Sequence, residues 1–177
     1  MSSRFFPRLR PCKPTLLLAV GALLVGCGSR QGTVPVLRRA TAPGSHFAYP
    51  QDWHLSRSTR TVTAAGTAGE LVSVTVFPLA KPYRPRLWPT LVPVLDGVAG
   101  QLAATLQGRV RSRGTIVVAG HRARSYEIAF SRNGKDVVER IAFLLRDRRE
   151  YELLCRFAPG GKSSTACSDF LSSFRLA

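Results

Sequence analysis

The sequence has 177 residues, with 26 Lys+Arg against 10 Asp+Glu for a formal charge of +16, and holds four Cys and three His. That length bounds the chain to one folded domain with a single core. So few cysteines, histidines and acids, in none of the usual ligand spacings, exclude the common zinc and metalloprotease frames.

Arg4, Arg8, Arg10 and Lys13 form a basic start. Thr15 to Val25 then run apolar for about eleven residues, the length of a signal-peptide core and short of the roughly 20 that a spanning helix needs. The run ends in Leu24-Val25-Gly26-Cys27, which reads as a lipobox. The expectation is a diacylglyceryl group on the Cys27 sulfur, palmitate among the acyl chains, and then cleavage after Gly26 that leaves Cys27 as the first residue. An uncleaved short anchor and an ordinary signal peptide with a chance cysteine are the alternatives. At about 0.8 kcal/mol per buried methylene, two or more acyl chains would anchor the chain in effect permanently. The expected organisation is a lipoprotein signal peptide over 1–26, a lipidated flexible tether over 27–44 rich in Gly, Ser, Thr, Pro and Arg, and a folded domain over 45–177. The expected location is the extracytoplasmic face of a bacterial cell membrane.

Residues 1–26 hold four of the basic residues and no acid, so the remainder carries 22 basic against 10 acidic residues, formally +12. An Arg-rich surface of this kind suits anionic lipid, cell-wall polymer or nucleic acid. It is equally what an Arg-rich proteome puts on any solvated face. Nucleic acid is not expected outside the cell.

His46 to Pro50 and Trp53 to Ser58 read as short strands around a Pro50-Gln51-Asp52 turn, followed by a small-residue loop or hairpin over Arg60 to Gly69. Glu70 to Leu79 reads as a strand with Val72, Val74 and Val76 on one face. Proline then excludes regular helix from Pro78 onward until a start near Pro89 or Pro93, where a first turn tolerates it. Leu91, Leu95, Val98, Leu102 and Leu106 form an amphipathic stripe that Gly108 ends. Strands follow over Val110 to Ala119, Ala123 to Ser131, Val137 to Arg146 and Glu150 to Phe157. Asn133-Gly134 is the strongest hairpin signal among their turns. A last helix runs from about Ser163 to Phe174.

Cys12 would leave with the signal peptide, and Cys27 would be acylated. Cys155 and Cys167 remain, in an oxidising compartment. Tyr151, Leu153, Cys155 and Phe157 alternate on one strand face, while Cys167, Phe170, Leu171 and Phe174 share one helix face. Packing that helix on that strand points both sulfurs into one core, which predicts a disulfide. Two amphipathic helices need a sheet to cover, so the expected class is α+β, an antiparallel sheet with helices on its faces.

Three segments resemble the PsbP-like superfamily, which includes Ran-binding Mog proteins and several bacterial envelope lipoproteins. Phe47-Ala48-Tyr49-Pro50-Gln51-Asp52-Trp53 is similar to the family's opening strand and turn. Val118-Ala119-Gly120-His121-Arg122-Ala123 is similar to its turn before the central hairpin, and Leu171-Ser172-Ser173-Phe174 to its closing helix end. The resemblance spans about residues 44–177 and implies an αβα sandwich. It implies no activity, because members of the family serve unrelated partners.

His46, His54 and His121 occur in no ligand spacing, so no metal or cofactor is expected. No serine sits in a nucleophile elbow, and no glycine run makes a phosphate loop. Asp136, Glu139, Asp147, Glu150 and Glu152 are expected to pair with nearby arginines at the surface. Tyr83, Arg84, Arg86 and Trp88, exposed beside prolines, form the candidate interaction surface. Leu87 and Trp88 could instead cover the end of the core. Arg109, Arg111 and Arg113 would alternate as a basic stripe on one strand face. The expectation is therefore a non-enzymatic, lipid-anchored binding or accessory module with an envelope protein or ligand as partner. The alternative is a small-ligand or lipid carrier that uses a cleft between a helix and the sheet.

Overall fold

In a computed structural model, residues 36–160 and 163–177 are described. The expected signal peptide over 1–26 and the expected lipid attachment at Cys27 lie outside these residues. Strand β1 covers Leu37–Ala42, β2 Ser45–Pro50, β3 His54–Arg57, β4 Thr61–Ala65 and β5 Leu71–Pro78. Helix α1 covers Trp88–Thr105, and four strands follow: β6 Arg109–Val118, β7 His121–Arg132, β8 Lys135–Arg146 and β9 Arg149–Phe157. Helix α2 covers Ser163–Ser173 and β10 covers Arg175–Leu176. Seven strands form one antiparallel sheet in the order β3-β4-β5-β9-β8-β7-β6, and three form a second in the order β1-β2-β10. The fold is mixed α+β and mostly antiparallel sheet.

The meander follows from local turn chemistry. Asn133 takes φ 52° and Gly134 φ 70° between β7 and β8, the left-handed pair that an Asn-Gly hairpin requires. β8 is buried on both faces, which is why Ile141 to Leu145 reads as a continuous apolar run instead of an alternation. Ala142 and Leu144 face one core, and Ile141, Phe143 and Leu145 face the other.

On one face of the large sheet, Val72, Val74, Val76, Tyr151, Leu153 and Cys155 pack against the small sheet and α2. Phe47 of β2 meets Phe170 of α2 edge-on at 5.1 Å. The Ala48 amide donates to Ser173 Oγ at 2.8 Å, which fastens α2 to β2. Cys155 and Cys167 are joined by a disulfide with their Cα atoms 5.6 Å apart, tying β9 to α2. Replacing both cysteines with alanine is expected to cost about 2–3 kcal/mol, because the bridge restricts a short loop in the unfolded chain. A denaturant midpoint unchanged in the double variant would show that the site repacks without it.

On the other face, α1 covers β6, β7 and β8. Its buried residues are Trp88, Leu95, Ala99 and Ala103, packed on Tyr126, Ile128, Phe130, Ile141 and Phe143. This corrects the expected stripe: Leu91, Leu102 and Leu106 are half-buried flanks, and Val98 is 36% exposed. The two alanines let the helix backbone approach the sheet closely, so the contact line runs through the small residues and the leucines spread beside it. Asp96 is the single charge on α1. It accepts from Arg124 Nε at 2.9 Å and Nη2 at 3.1 Å and from Tyr126 Oη at 2.6 Å, with Arg113 at 3.5 Å. The Arg124 hydrogen bonds hold the Asp96 carboxyl below the usual range against the opposing effect of burial. Burial, then the bond to Asp96, pushes the Tyr126 phenol up.

Three further expectations need correction. The tether assigned to 27–44 overlaps β1, which pairs residue by residue with β2 from Leu37–Pro50 to Ala42–Ser45. Composition hid this strand, because Arg and Thr on its outer side mask the buried Ala40 and Ala42. The loop or hairpin over Arg60 to Gly69 contains β4, paired to both β3 and β5. The stripe of Arg109, Arg111 and Arg113 is broken by a β-bulge between Val110 and Ser112. One extra residue reverses the parity of a strand. Arg109 lies opposite Ala129, and Arg113 lies opposite Tyr126, on the other face.

Candidate functional site

The turns at one end of the large sheet carry arginine. Arg57 and Arg60 flank the β3–β4 turn, and Arg146, Arg148 and Arg149 surround the β8–β9 turn. That turn is two residues long, with Asp147 at φ 51°, a left-handed conformation that Asp tolerates better than most residues. Arg148 O accepts from the Leu79 amide at 2.9 Å, and Asp147 O accepts from the Tyr83 amide at 2.6 Å. The segment from β5 to α1 is thereby laid against the β8–β9 turn. Arg60 O accepts from the Val76 amide at 2.9 Å, which sets the β3–β4 turn beside the end of β5.

These turns enclose an open cleft of about 650 Å³. Its floor is Val76 and Tyr151, Pro43 and Pro78 form its sides, and its rim is Arg60, Arg146, Arg148 and Arg149. The β1–β2 turn closes one wall, where Gly44 at φ 68° leaves room for the Arg149 guanidinium. A side chain at Gly44 would overlap that guanidinium and would also sit in a left-handed conformation. The acid at the cleft is Asp147, 3.5 Å from Arg146 Nε and 86% exposed.

Guanidinium groups stay protonated and present planar donor forks that match phosphate, sulfate or carboxylate oxygens. Such a rim can bind and neutralise an anion.

The expected interaction surface divides. Trp88 is buried, 7% exposed, at the start of α1, with the Arg122 guanidinium over its ring at 5.5 Å. It is a core residue, because the first turn of α1 places it over the edge of the apolar face. Tyr83 is half-buried against the same core. Arg84 and Arg86 are exposed and do not line the cleft. The sequence placed these two arginines at a surface but missed the cleft. Its rim comes from turns far apart in the chain, and Asp147-Arg148-Arg149 read as turn chemistry alone.

Asp147 pairs with Arg146 at the surface, as expected, whereas Glu139 is buried where it pairs with Arg156 at 2.6 Å, and Asp136 has no ion-pair partner among the described residues. Among the described residues, Glu150 and Glu152 have no ion-pair partner, which corrects the expectation of surface pairs. They lie on the face of the sheet that α1 covers, opposite Phe77 and Thr75 of β5. Burial pushes both carboxyls up, and the Glu150 and Glu139 charges add to the effect at Glu152. A second open cleft of about 420 Å³ lies at the opposite end of the sheet, with Arg109, Arg111 and Asp136 among its residues.

No family model and no curated protein matches the sequence. Solved structures do match. A protein of Bacteroides thetaiotaomicron VPI-5482 is similar over 78% of this chain at 10% identity, with a TM-score of 0.54. The chain spans 48% of that protein's length. LpqN of Mycobacterium tuberculosis, described as involved in cell envelope biogenesis, matches over 83% of this chain and 87% of its own at 12% identity, with a TM-score of 0.48. At such identities the first likeness is one of fold.

Proposed function

We propose that the protein is a lipid-anchored, non-enzymatic binding module of the bacterial envelope that holds an anionic partner in the arginine-rimmed cleft. The observation that carries the binding half is the convergence of Arg60, Arg146, Arg148 and Arg149 on one open concavity in which Asp147 is the acidic side chain. The anchoring half rests on the lipobox at Leu24 to Cys27. The three motif segments and the helices on opposite faces of an antiparallel sheet support a PsbP-like assignment of the domain. That resemblance brings no activity with it, and the chemistry of the cleft supports binding over catalysis.

The carrier alternative needs space between a helix and the sheet. Trp88, Leu95, Ala99 and Ala103 fill that interface under α1. Both clefts open at the ends of the sheet instead, which favours an adaptor.

Two measurements test the two halves separately. Metabolic labelling with a fatty acid is expected to mark the parent and not Cys27→Ser, and label retained in the variant would end the anchoring reading. Titration with pyrophosphate as an anionic probe is expected to weaken at least about tenfold in a variant carrying Arg60→Gln, Arg148→Gln and Arg149→Gln, since charge-assisted forks carry most of such an interaction. Equal affinity in parent and variant would remove the cleft as the binding site.

A further inference from the structure

The exposed side of α1 carries no charged residue. Its outward positions include Pro89, Pro93, Val94, Gly97 and Val98, and the preceding turn adds Leu87. Val94 is 58% exposed and Leu87 41%. In a chain so rich in arginine, an 18-residue surface helix whose one charge is turned inward and neutralised is unexpected. Arginines border this neutral face. Arg84 and Arg86 stand before its first turn, Arg122 lies over Trp88, and Arg113 of the edge strand β6 reaches the middle of the helix at Asp96. From Arg84 to Arg113 the sequence holds five arginines and one acid.

We propose that this face of α1 docks on the surface of an anionic phospholipid bilayer. The apolar positions enter the boundary between headgroups and acyl chains, and the bordering arginines meet the lipid phosphates, the division of labour of an interfacial helix. Charge selects this occupant. A second copy docked face to face would press two arginine-bordered faces together with no acid exposed between them, because a two-fold contact repeats the same patch on both sides. An anionic surface takes the whole border at once.

The inference rests on the anchoring reading for its avidity. Eight residues, hence nine Cα-to-Cα steps, separate Cys27 from Val36, a reach of at most about 30 Å, so a lipidated domain stays close to the bilayer. A tether that short gives an effective concentration of order millimolar, at which a weak surface affinity suffices. No described helix is long and apolar enough to cross the membrane, so contact at the surface is the geometry open to α1.

The test uses the full chain produced in a bacterium that processes lipoproteins, reconstituted in vesicles. With Cys27 acylated and Cys155–Cys167 oxidised, the mature chain has no competing thiol, so Val94→Cys takes a single environment-sensitive fluorophore. Ser172→Cys on the exposed side of α2 serves as the control. In vesicles with about 30% phosphatidylglycerol and brominated acyl chains, the Val94 label is expected to shift to the blue and be quenched roughly threefold more than the Ser172 label. Arg84→Gln with Arg86→Gln, or high salt, should return it toward the aqueous signal while the protein stays on the vesicles. A Val94 label that is aqueous on vesicles carrying the protein overturns docking and leaves anchoring intact. No association with any vesicle overturns both. Association with anionic vesicles alone, lost in high salt and accompanied by Val94 quenching, upholds docking and overturns anchoring. A Val94 label shielded in detergent without vesicles, increasingly with protein concentration, assigns the face to a second copy and overturns the proposal.

Discussion

Phe174→Ala is expected to leave little folded protein at growth temperature. Phe174 sits three residues before the last residue of the sequence, a region where substitutions are usually tolerated. Here it is fully buried and lies edge-on to Tyr151 at 5.9 Å, in the same core as Phe170, Cys167 and Leu153. Its amide donates to Phe170 O at 3.0 Å as α2 ends, so the helix geometry itself delivers the ring into the core. Truncating a buried phenylalanine costs about 3–5 kcal/mol. Domains of this size hold about 5–15 kcal/mol in total, so the loss is a large fraction of the margin and consumes it where the parent lies at the low end. The check is thermal unfolding by circular dichroism in the full chain. A melting temperature within a few degrees of the parent would show that α2 is peripheral to the core.

Asp96→Ala is expected to be the second most damaging change. It strips Arg124, whose side chain is 13% exposed, of both its hydrogen bonds to the carboxylate, and it takes the acceptor from Tyr126 Oη. Breaking a fully buried pair costs about 3–5 kcal/mol. Asp96 is 22% exposed, so solvent screening lowers the expectation to roughly 2–4 kcal/mol, a fall in melting temperature of about 5–12 °C. The pH dependence gives the mechanism a signature. The folded carboxyl ionises below its unfolded value near pH 4, so its contribution is present in full above that value and is lost as pH falls through the folded one. The gap between parent and Asp96→Asn should therefore be constant from neutral down to about pH 5 and shrink in more acid solution. A gap that does not change with pH would mean that Asp96 acts through shape and packing alone.

The order of these two effects reflects where each kind of information lives. The burial of Phe174 was legible, because the spacing from Cys167 to Phe174 and the alternation from Tyr151 to Phe157 are each local patterns that point at one another. The disulfide followed from the same two faces. The Asp96 network was not legible. A lone acid in an apolar helix names no partner, and Arg124 and Tyr126 reach it only because β7 passes beneath α1. The two amphipathic helix patterns by themselves called for a sheet with helices on its faces, and the structure has that coarser arrangement.

What the sequence determined by itself is whatever a few neighbouring residues decide: the hairpin at Asn133-Gly134, the strand faces of β5 and β9, the extent of the last four strands, and the pairing of Cys155 with Cys167. These depend on turn dihedrals and on periods of two and 3.6 residues, which act over one or two elements. Tertiary structure alone decided the rest. A bulge at Val110/Ser112 turned Arg109 and Arg113 to opposite faces, and Ala99 and Ala103 drew α1 down until Val98 faced out. Strand β1 gained its place by pairing with β2, and Trp88 was buried by the sheet under it. The arginine-rimmed cleft exists because the sheet order sets β5 beside β9 and so brings the β3–β4 and β8–β9 turns to one end. Residues distant in sequence meet only through packing and strand order, and no pattern within either segment encodes the other.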